Sequence, residues 1–438
     1  MATIIATSTN TQIDVSNGDL VYVGRDVSVV VAGSPFGATF EENQISYVID
    51  GTVVNAASGI ALWLQEDSAT TFGGNSVTVG ASGIVRGVGS TSNGVFADGQ
   101  FNTINNFGEI TGANGISLRR SDDTVVSNHG VISGSTFFGP TADPGDVGVA
   151  FNGVGIASYS SDNLLIENYG TITGYLGFTV DNSLGGPENN RLINYGEIIG
   201  SGTAPNAAAV YVAEGADGFV LKNEGSLIGA SNAFFGSAFG DVVRNGGLMD
   251  GDVELGDGDD MYKASGDGFV DGSVRGGVGS DTIVGGSGDD SIAGGGFGDL
   301  LRGRAGDDTL SGANGQDEIF GGSGDDSLIG GSGSDTLSGG RGDDTLTGNS
   351  GGDTFLFMRA DGNDLITDFQ NGSDVIDLTA FGLQGSFADV ISGALSNAGG
   401  GATLLDFSLI DMAGAVHGGS VLIEGLNIAD ANAADFVI

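Results

Sequence analysis

The stretch 276–356 divides without a gap into nine units of nine residues. They read GGVGSDTIV, GGSGDDSIA, GGGFGDLLR, GRAGDDTLS, GANGQDEIF, GGSGDDSLI, GGSGSDTLS, GGRGDDTLT and GNSGGDTFL. Position 1 is Gly in all nine, and position 4 is Gly in eight, with Phe297 the exception. Position 6 is Asp and position 8 is apolar throughout. A period this short and this strict means that each unit is one small piece that buries its apolar face only by stacking on its neighbours. The glycine-rich six residues form a turn in which φ > 0 is permitted and backbone carbonyls are exposed. The remaining three form a short strand with the position-8 side chain pointing inward. A partial further unit, LGDGDDMYK, lies at 255–263, separated from the array by an irregular stretch at 264–275.

These units resemble the glycine-rich nonapeptide repeats of the RTX family, whose consensus is G-G-x-G-x-D-x-U-x. The resemblance implies a parallel β-roll, with two units per coil, and several calcium ions as cofactor. Calcium is a hard cation that takes six to eight oxygens. Stacked turns offer it carbonyls together with position-6 carboxylates from units i and i+2. The metal-ligating residues are then Asp281, Asp290, Asp299, Asp308, Asp317, Asp326, Asp335, Asp344 and Asp353, and their i, i+2 pairs allow roughly seven sites. Charge points the same way. Residues 251–356 carry 21 acidic groups and five basic ones, so the segment repels itself until cations neutralise it.

A second repeat lies upstream and reads N-x-G-x-[ILM]-x-G: NFGEITG at 106–112, NHGVISG at 128–134, NYGTITG at 168–174, NYGEIIG at 194–200, NEGSLIG at 223–229 and NGGLMDG at 245–251. Weaker copies are ASGIVRG at 81–87 and IDGTVVN at 49–55. The spacing of their shared glycines never falls below 22 residues and reaches 40, as expected of one solenoid coil plus loops of differing length. Apolar alternations such as GISLRR, GFTVDN and AVYVAEG read as strands between the copies. The pattern resembles a right-handed parallel β-helix of about three short strands per coil. Asn suits the turn because it tolerates the left-handed region and its amide can reach the Asn of the next coil. The following Gly permits the corner. A sandwich of hairpins would instead show turn signals every eight to twelve residues.

The fold class expected is all-β: a right-handed parallel β-helix followed by a calcium-binding parallel β-roll and a small C-terminal β segment. The divisions are 1–45 (N-terminal cap strands), 46–254 (β-helix), 255–356 (β-roll) and 357–438 (C-terminal β region with a secretion signal). The insertion at 135–153 is expected to project from the rod. Residues 353–382, DTFLFMRADGNDLITDFQNGSDVIDLTAFG, are similar to the segment that follows RTX repeats in serralysin-type secreted proteins. Asp435, Phe436, Val437 and Ile438 resemble the acidic-then-hydrophobic tail of some type I secretion substrates. The N-terminus shows no basic start and no long apolar core, so no Sec signal is expected there. The resemblance implies a protein of a Gram-negative bacterium, exported by type I secretion machinery and located outside the cell or at its surface.

Composition limits what the chain can do. Asp and Glu total 56 against 13 Lys and Arg, a net charge of −43. That excludes nucleic-acid binding through the phosphate backbone and disfavours anionic lipid. No apolar run is long enough to insert in a membrane as a helix. Cysteine is absent, and the two histidines, His129 and His417, are far apart. Thiolate metal sites and an HExxH zinc site are therefore excluded.

Two functions fit. The first is a secreted, calcium-dependent structural or adhesive protein of a surface layer, matrix or filament, with self-assembly or a cell-surface glycan as partner. The second is a polysaccharide-modifying β-helix enzyme (lyase, epimerase or glycosidase) or a carbohydrate-binding protein. Carboxylate pairs for such chemistry exist: Asp122 and Asp123 beside Arg119 and Arg120, or Asp162 and Glu167. They read more readily as solvated turn residues, and a non-enzymatic role is favoured. Phe107, His129, Tyr169 and Tyr195 share the repeat position after Asn. They are expected to stack as a column along the rod.

Overall fold

The computed structural model describes residues 3–5, 20–31, 36–37, 45–55, 60–65, 74–89, 92–135, 153–181, 189–213, 215–216, 218–358, 361–383, 394–407 and 419–438. Most of the expected projection at 135–153 lies outside them. The protein is built almost wholly of short strands, with a single 3-10 turn at Thr379–Phe381 among the described residues. The chain divides into two compact units, one of residues 1–255 with 270–272, the other of 256–269 with 273–438.

The first unit is a parallel β-solenoid with three strand ladders. One runs through Leu20–Val23, Ser46–Ile49, Ser76–Val79, Thr103–Asn106, Val125–Asn128, Leu165–Asn168, Arg191–Asn194, Val220–Asn223 and Val242–Asn245, each in register with the next. The second begins at Ser28–Val31 and Thr52–Asn55 and continues through Glu109–Thr111 and Thr171–Gly174. The third holds Asn93–Asp98, Asn114–Arg119, Val154–Tyr159, Leu176–Asp181 and Ala208–Val212. Residues 20–31 thus form a coil of the same kind as those that follow.

Stacking in register brings like residues together, which explains the Asn-x-Gly signature. Each repeat Asn is the last residue of a strand in the first ladder, and each is fully buried. The Asn106 amide donates to Asn128 Oδ1 at 2.8 Å, Asn128 to Asn168 at 2.8 Å, Asn168 to Asn194 at 2.8 Å, Asn194 to Asn223 at 2.8 Å and Asn223 to Asn245 at 2.9 Å. A buried amide is costly unless paired, and here each coil pairs it with the next. These asparagines are not in the left-handed region. They serve the ladder and the turn together, since Oδ1 of Asn106, Asn128 and Asn245 also accepts the N–H of the glycine two residues on, at 3.2 Å.

The glycine two residues on needs no positive φ either. A Cβ at Gly170 would overlap the Gly130 carbonyl oxygen, and one at Gly196 would overlap that of Gly170. The corner is a column of backbones too close for any side chain. The weaker copies keep this glycine, at Gly51 and Gly83, but put Ile49 and Val79 where Asn stands elsewhere. Inward Ile110, Ile132, Ile172, Ile198, Leu227 and Met249 fill the core beside it, all fully buried.

The second unit is a two-ladder roll. Leu300–Ala305, Glu318–Ser323 and Thr336–Arg341 stack on one side, and Ser291–Gly296, Thr309–Asn314, Ser327–Ser332 and Thr345–Ser350 on the other. Position-8 residues from Ile283 to Phe355 form its core, and all but Ile292 are fully buried. The C-terminal residues extend the same ladders. Asn363–Ile366 pairs with Thr345–Ser350 and then with Ser420–Ile423, which closes into an antiparallel hairpin of Leu395–Gly399 and Ala402–Asp406. Phe436–Val437 pairs in parallel with Val375–Asp377.

Candidate metal centre

Eighteen residues make one coil of the roll, so position-6 aspartates of alternate units fall into two columns, one on each edge. The first holds Asp260, Asp281, Asp299, Asp317, Asp335, Asp353 and Asp374. The second holds Asp290, Asp308, Asp326, Asp344 and Asp364. In both, the backbone N–H of each aspartate donates to Oδ1 of the next, at 2.8 to 3.1 Å. One carboxylate oxygen is therefore spent on tying coil to coil.

The other oxygen is not. Oδ2 of Asp281, Asp299, Asp308, Asp317, Asp326, Asp335, Asp344, Asp353 and Asp364 is buried and has no hydrogen-bond donor. Leaving a carboxylate oxygen so costs several kcal/mol unless a cation or proton meets it. Burial accordingly pushes these carboxyls up, to about 6 for Asp281, Asp308, Asp317, Asp344 and Asp353, and to about 7 for Asp299, Asp326 and Asp364. The backbone N–H bonds act in the opposite direction but do not offset it.

The invariant position-1 glycine has its reason here. A Cβ at Gly303 would overlap Asp308 Oδ2 and approach the Gly321 carbonyl oxygen to 2.8 Å; the same holds for Gly321 with Asp326 and Gly339. All nine glycines thus clear space for the carboxylate oxygen of their own unit, and at Gly276, Gly285, Gly303, Gly321 and Gly330 a carbonyl oxygen of the next coil meets it there. The donors are hard oxygens, as Ca2+ requires, and contain no nitrogen or sulfur. Among the described residues no three carboxylates or imidazoles converge. Main-chain carbonyls must supply the rest of any shell.

Asp290 differs from the other eight aspartates of the array. It is half-buried, stands first in its column, and takes the Gly286 N–H on Oδ2 at 2.6 Å. Three aspartates that the nonapeptide count omits join the columns: Asp260 from the partial unit, and Asp364 and Asp374 from beyond the array, where steps of 20 and 21 residues replace 18. Their signal was the G-x-D-x-[IL] remnant in GNDLI and GSDVI.

The two edges also differ at position 5, a feature that unit-by-unit counting hides. Asp289, Asp307, Asp325 and Asp343 form an exposed third column on one edge, each Oδ1 accepting the N–H of the next coil at 2.8 to 3.0 Å. The other edge has Ser280, Gly298, Gln316, Ser334 and Gly352 at that position.

In the solenoid unit, Phe107, His129, Tyr169 and Tyr195 do stack, with centroids 4.9, 4.6 and 5.0 Å apart and planes within 9°. Lys222 caps the column over Tyr195 at 5.5 Å. The expected carboxylate pairs are arranged otherwise than their sequence neighbours imply. Arg119 and Arg120 both bind Asp98, not Asp122 or Asp123. Asp122 accepts the Asp162 N–H and the Gln100 amide at 2.9 Å each, so it ties one turn to the next. Glu167 stands on the outer side of Leu165–Asn168, half-exposed.

The sequence pattern of the RTX calcium-binding nonapeptide repeat, in four copies, matches residues 271–301, 293–328 and 320–355. No curated protein matches the chain. Among solved structures, the solution structure of the AlgE6R3 subunit from the Azotobacter vinelandii mannuronan C5-epimerase matches at 28% identity. It covers 35% of this chain and 81% of its own, with a TM-score of 0.26.

Proposed function

We propose that this chain, an RTX calcium-binding repeat protein with a parallel β-solenoid, is a secreted structural or adhesive component that folds and assembles outside the cell when calcium fills its aspartate columns. The observation that carries this reading is the row of buried Oδ2 atoms without donors. The position-6 aspartates from Asp281 to Asp353, together with Asp260 and Asp364, would hold the ions, with turn carbonyls completing the shells; Oδ2 of Asp290 takes the Gly286 N–H and that of Asp374 the Gln370 N–H, so these two would be the weaker ligands. At neutral pH without a cation, the roll gathers negative charges whose second oxygens meet no donor among the described residues. Calcium binding is then folding free energy.

The same chemistry suits export. Where calcium is scarce the acidic repeats stay unfolded and can thread a channel; where it is millimolar, sites of extracellular affinity fill. Phe436 is buried and paired in the roll. A tail read by type I machinery is accessible only before that strand docks, so folding after export keeps the signal available.

A scaffold also fits the solenoid better than a sugar platform does. Rings stacked 4.6 to 5.0 Å apart cover one another's faces, and a sugar stacks on a free face. Among the described residues no helix is long and apolar enough to cross a membrane. The test is a calcium titration of the full chain, read by circular dichroism and light scattering together. The expected result is a gain of β signal followed by growth into large particles. A gain of β signal at constant monomer mass would overturn the assembly, and no response to calcium would overturn the whole reading.

A further inference from the structure

The two edges of the roll carry the same position-6 aspartates in different surroundings. In the turns of the second column, position 5 is Asp289, Asp307, Asp325 and Asp343; in those of the first it is Ser280, Gly298, Gln316, Ser334 and Gly352. Adjacent carboxylates on the second edge accept hydrogen bonds from opposite directions. The Asp290 N–H donates to Asp308 Oδ1 in the next coil, and the Asp307 N–H donates back to Asp289 Oδ1, both at 2.8 Å. The exchange repeats as Asp308 to Asp326 with Asp325 to Asp307, and as Asp326 to Asp344 with Asp343 to Asp325. Each of these junctions is therefore tied by two carboxylates. On the first edge, among the described residues, the second tie occurs only at the head, where the Ser280 N–H meets Asp259.

Charge divides in the same way. From outside their own column, the charged groups that bear on Asp308, Asp326 and Asp344 are all carboxylates: Asp289, Asp307, Asp325, Asp343 and Asp361. Asp299 and Asp317 feel only members of their own column. Two arginines stand in the turns of the second column. Arg304 donates to the Ala264 carbonyl and bears on Asp290 at the head, while Arg341 bears on Asp361.

The first edge also holds an irregular turn. At position 4, Gly279, Gly315, Gly333 and Gly351 take φ +149°, +146°, +142° and +156°, but Phe297, two residues before Asp299, takes +71°. The peptides flanking Phe297 are thus set at a different angle from those of the turns above and below, and it is turn carbonyls that complete a calcium shell. On the second edge Gly306, Gly324 and Gly342 take +114°, +131° and +134°.

Calcium affinity is tuned by the charge and rigidity of the oxygen cage, and the second column is ahead in both. We infer that it is the tighter calcium row and fills before the first, with the exposed position-5 carboxylates setting the order through their charge. The inference rests on the calcium columns proposed above and adds an order to them. Between the two fillings, one edge of each coil is pinned and the other open, so the roll answers calcium in two steps.

The test is calcium bound to the full chain against free calcium set by chelator buffers. Two steps are expected. Asp307→Asn combined with Asp325→Asn keeps an oxygen for the Asp325 and Asp343 N–H groups and removes the charge. It should move the tighter step to about fivefold higher free calcium. The weaker step, and the β signal at saturating calcium, should stay as they are; loss of that signal would mark the carboxylates as ties alone and overturn the inference. Ser334→Asp, on the bare edge, should move part of the weaker step to lower calcium. Raising KCl from about 0.1 to about 1 M shortens the Debye length from about 10 to about 3 Å, so the two steps should draw together. One step in the unaltered chain, or a tighter step that the Asn variant leaves in place, overturns the order while the columns stand. A chain that binds no calcium overturns both.

Discussion

The backbone N–H of Asp326 donates to Asp344 Oδ1 at 2.8 Å, while Oδ2 of Asp344 is buried with no donor. One carboxylate thus does two jobs: it registers the coil below and presents charge to a cation. The jobs separate on substitution. Asp344→Asn keeps an oxygen for the Asp326 N–H and loses the charge. We expect it to raise the calcium midpoint about tenfold, equivalent to about 1.4 kcal/mol, with β content restored at saturating calcium. Asp290→Asn should do less, because Asp290 is half-buried at the end of its column and its Oδ2 already has the Gly286 N–H. Isothermal calorimetry on the two variants checks the order.

Acidity should stand in for calcium. Burial raises the column carboxyls above the ordinary 3.8, to about 6 at Asp281 and about 7 at Asp326. The folded state therefore binds more protons than the unfolded one, and stability falls as pH rises through that window. In chelator, the roll should gain β signal on going from pH 7.5 to pH 4.5. With calcium present, protons compete, and calcium affinity should fall as pH drops below about 6 to 7. Dichroism against pH, with and without calcium, shows both slopes; a calcium-free roll equally folded at pH 4.5 and 7.5 would refute the linkage.

The solenoid should be sensitive at its corner. Gly196→Ala places a methyl onto the Gly170 carbonyl oxygen, and overpacking of this kind costs about 1–3 kcal/mol or more. Gly218 has φ +68° and open space around it, so Gly218→Ala meets only backbone strain and should cost about 1 kcal/mol. Thermal melts compare them.

Asn168→Ala should cost more than a surface change, about 2–4 kcal/mol, because it leaves the Asn128 amide and Asn194 Oδ1 each short of a partner in the core. Tyr169→Ala, which removes one half-exposed ring from the column, should cost about 1 kcal/mol. Denaturant unfolding at fixed calcium measures both.

The invariant positions of the array were legible because each has one task. Position 8 faces the core and position 6 faces a neighbouring coil, so neither varies. The asparagine ladder was legible for the same reason. What the sequence concealed is three-dimensional pairing. Asp364 and Asp374 continue the columns across steps of 20 and 21 residues, which a strict nine-residue count discards. The position-5 column appears only when alternate units are read separately, because the two edges are different surfaces. The glycines were legible as glycines but not in their reasons. Gly306 needs a positive φ, Gly303 clears space for Asp308 Oδ2, and Gly196 clears space for a backbone. The arginines at 119 and 120 reach back to Asp98, a coil away, across a gap that sequence adjacency to Asp122 disguises.

The central claim is that calcium lies along the aspartate columns. Long-wavelength anomalous diffraction from crystals grown in millimolar calcium tests it most directly. The account predicts two rows of calcium peaks, one along Asp281 to Asp353 and one along Asp308 to Asp364, each within bonding distance of the position-6 Oδ2 atoms. Folded protein with both rows empty, or with calcium only at the exposed position-5 carboxylates, would contradict it.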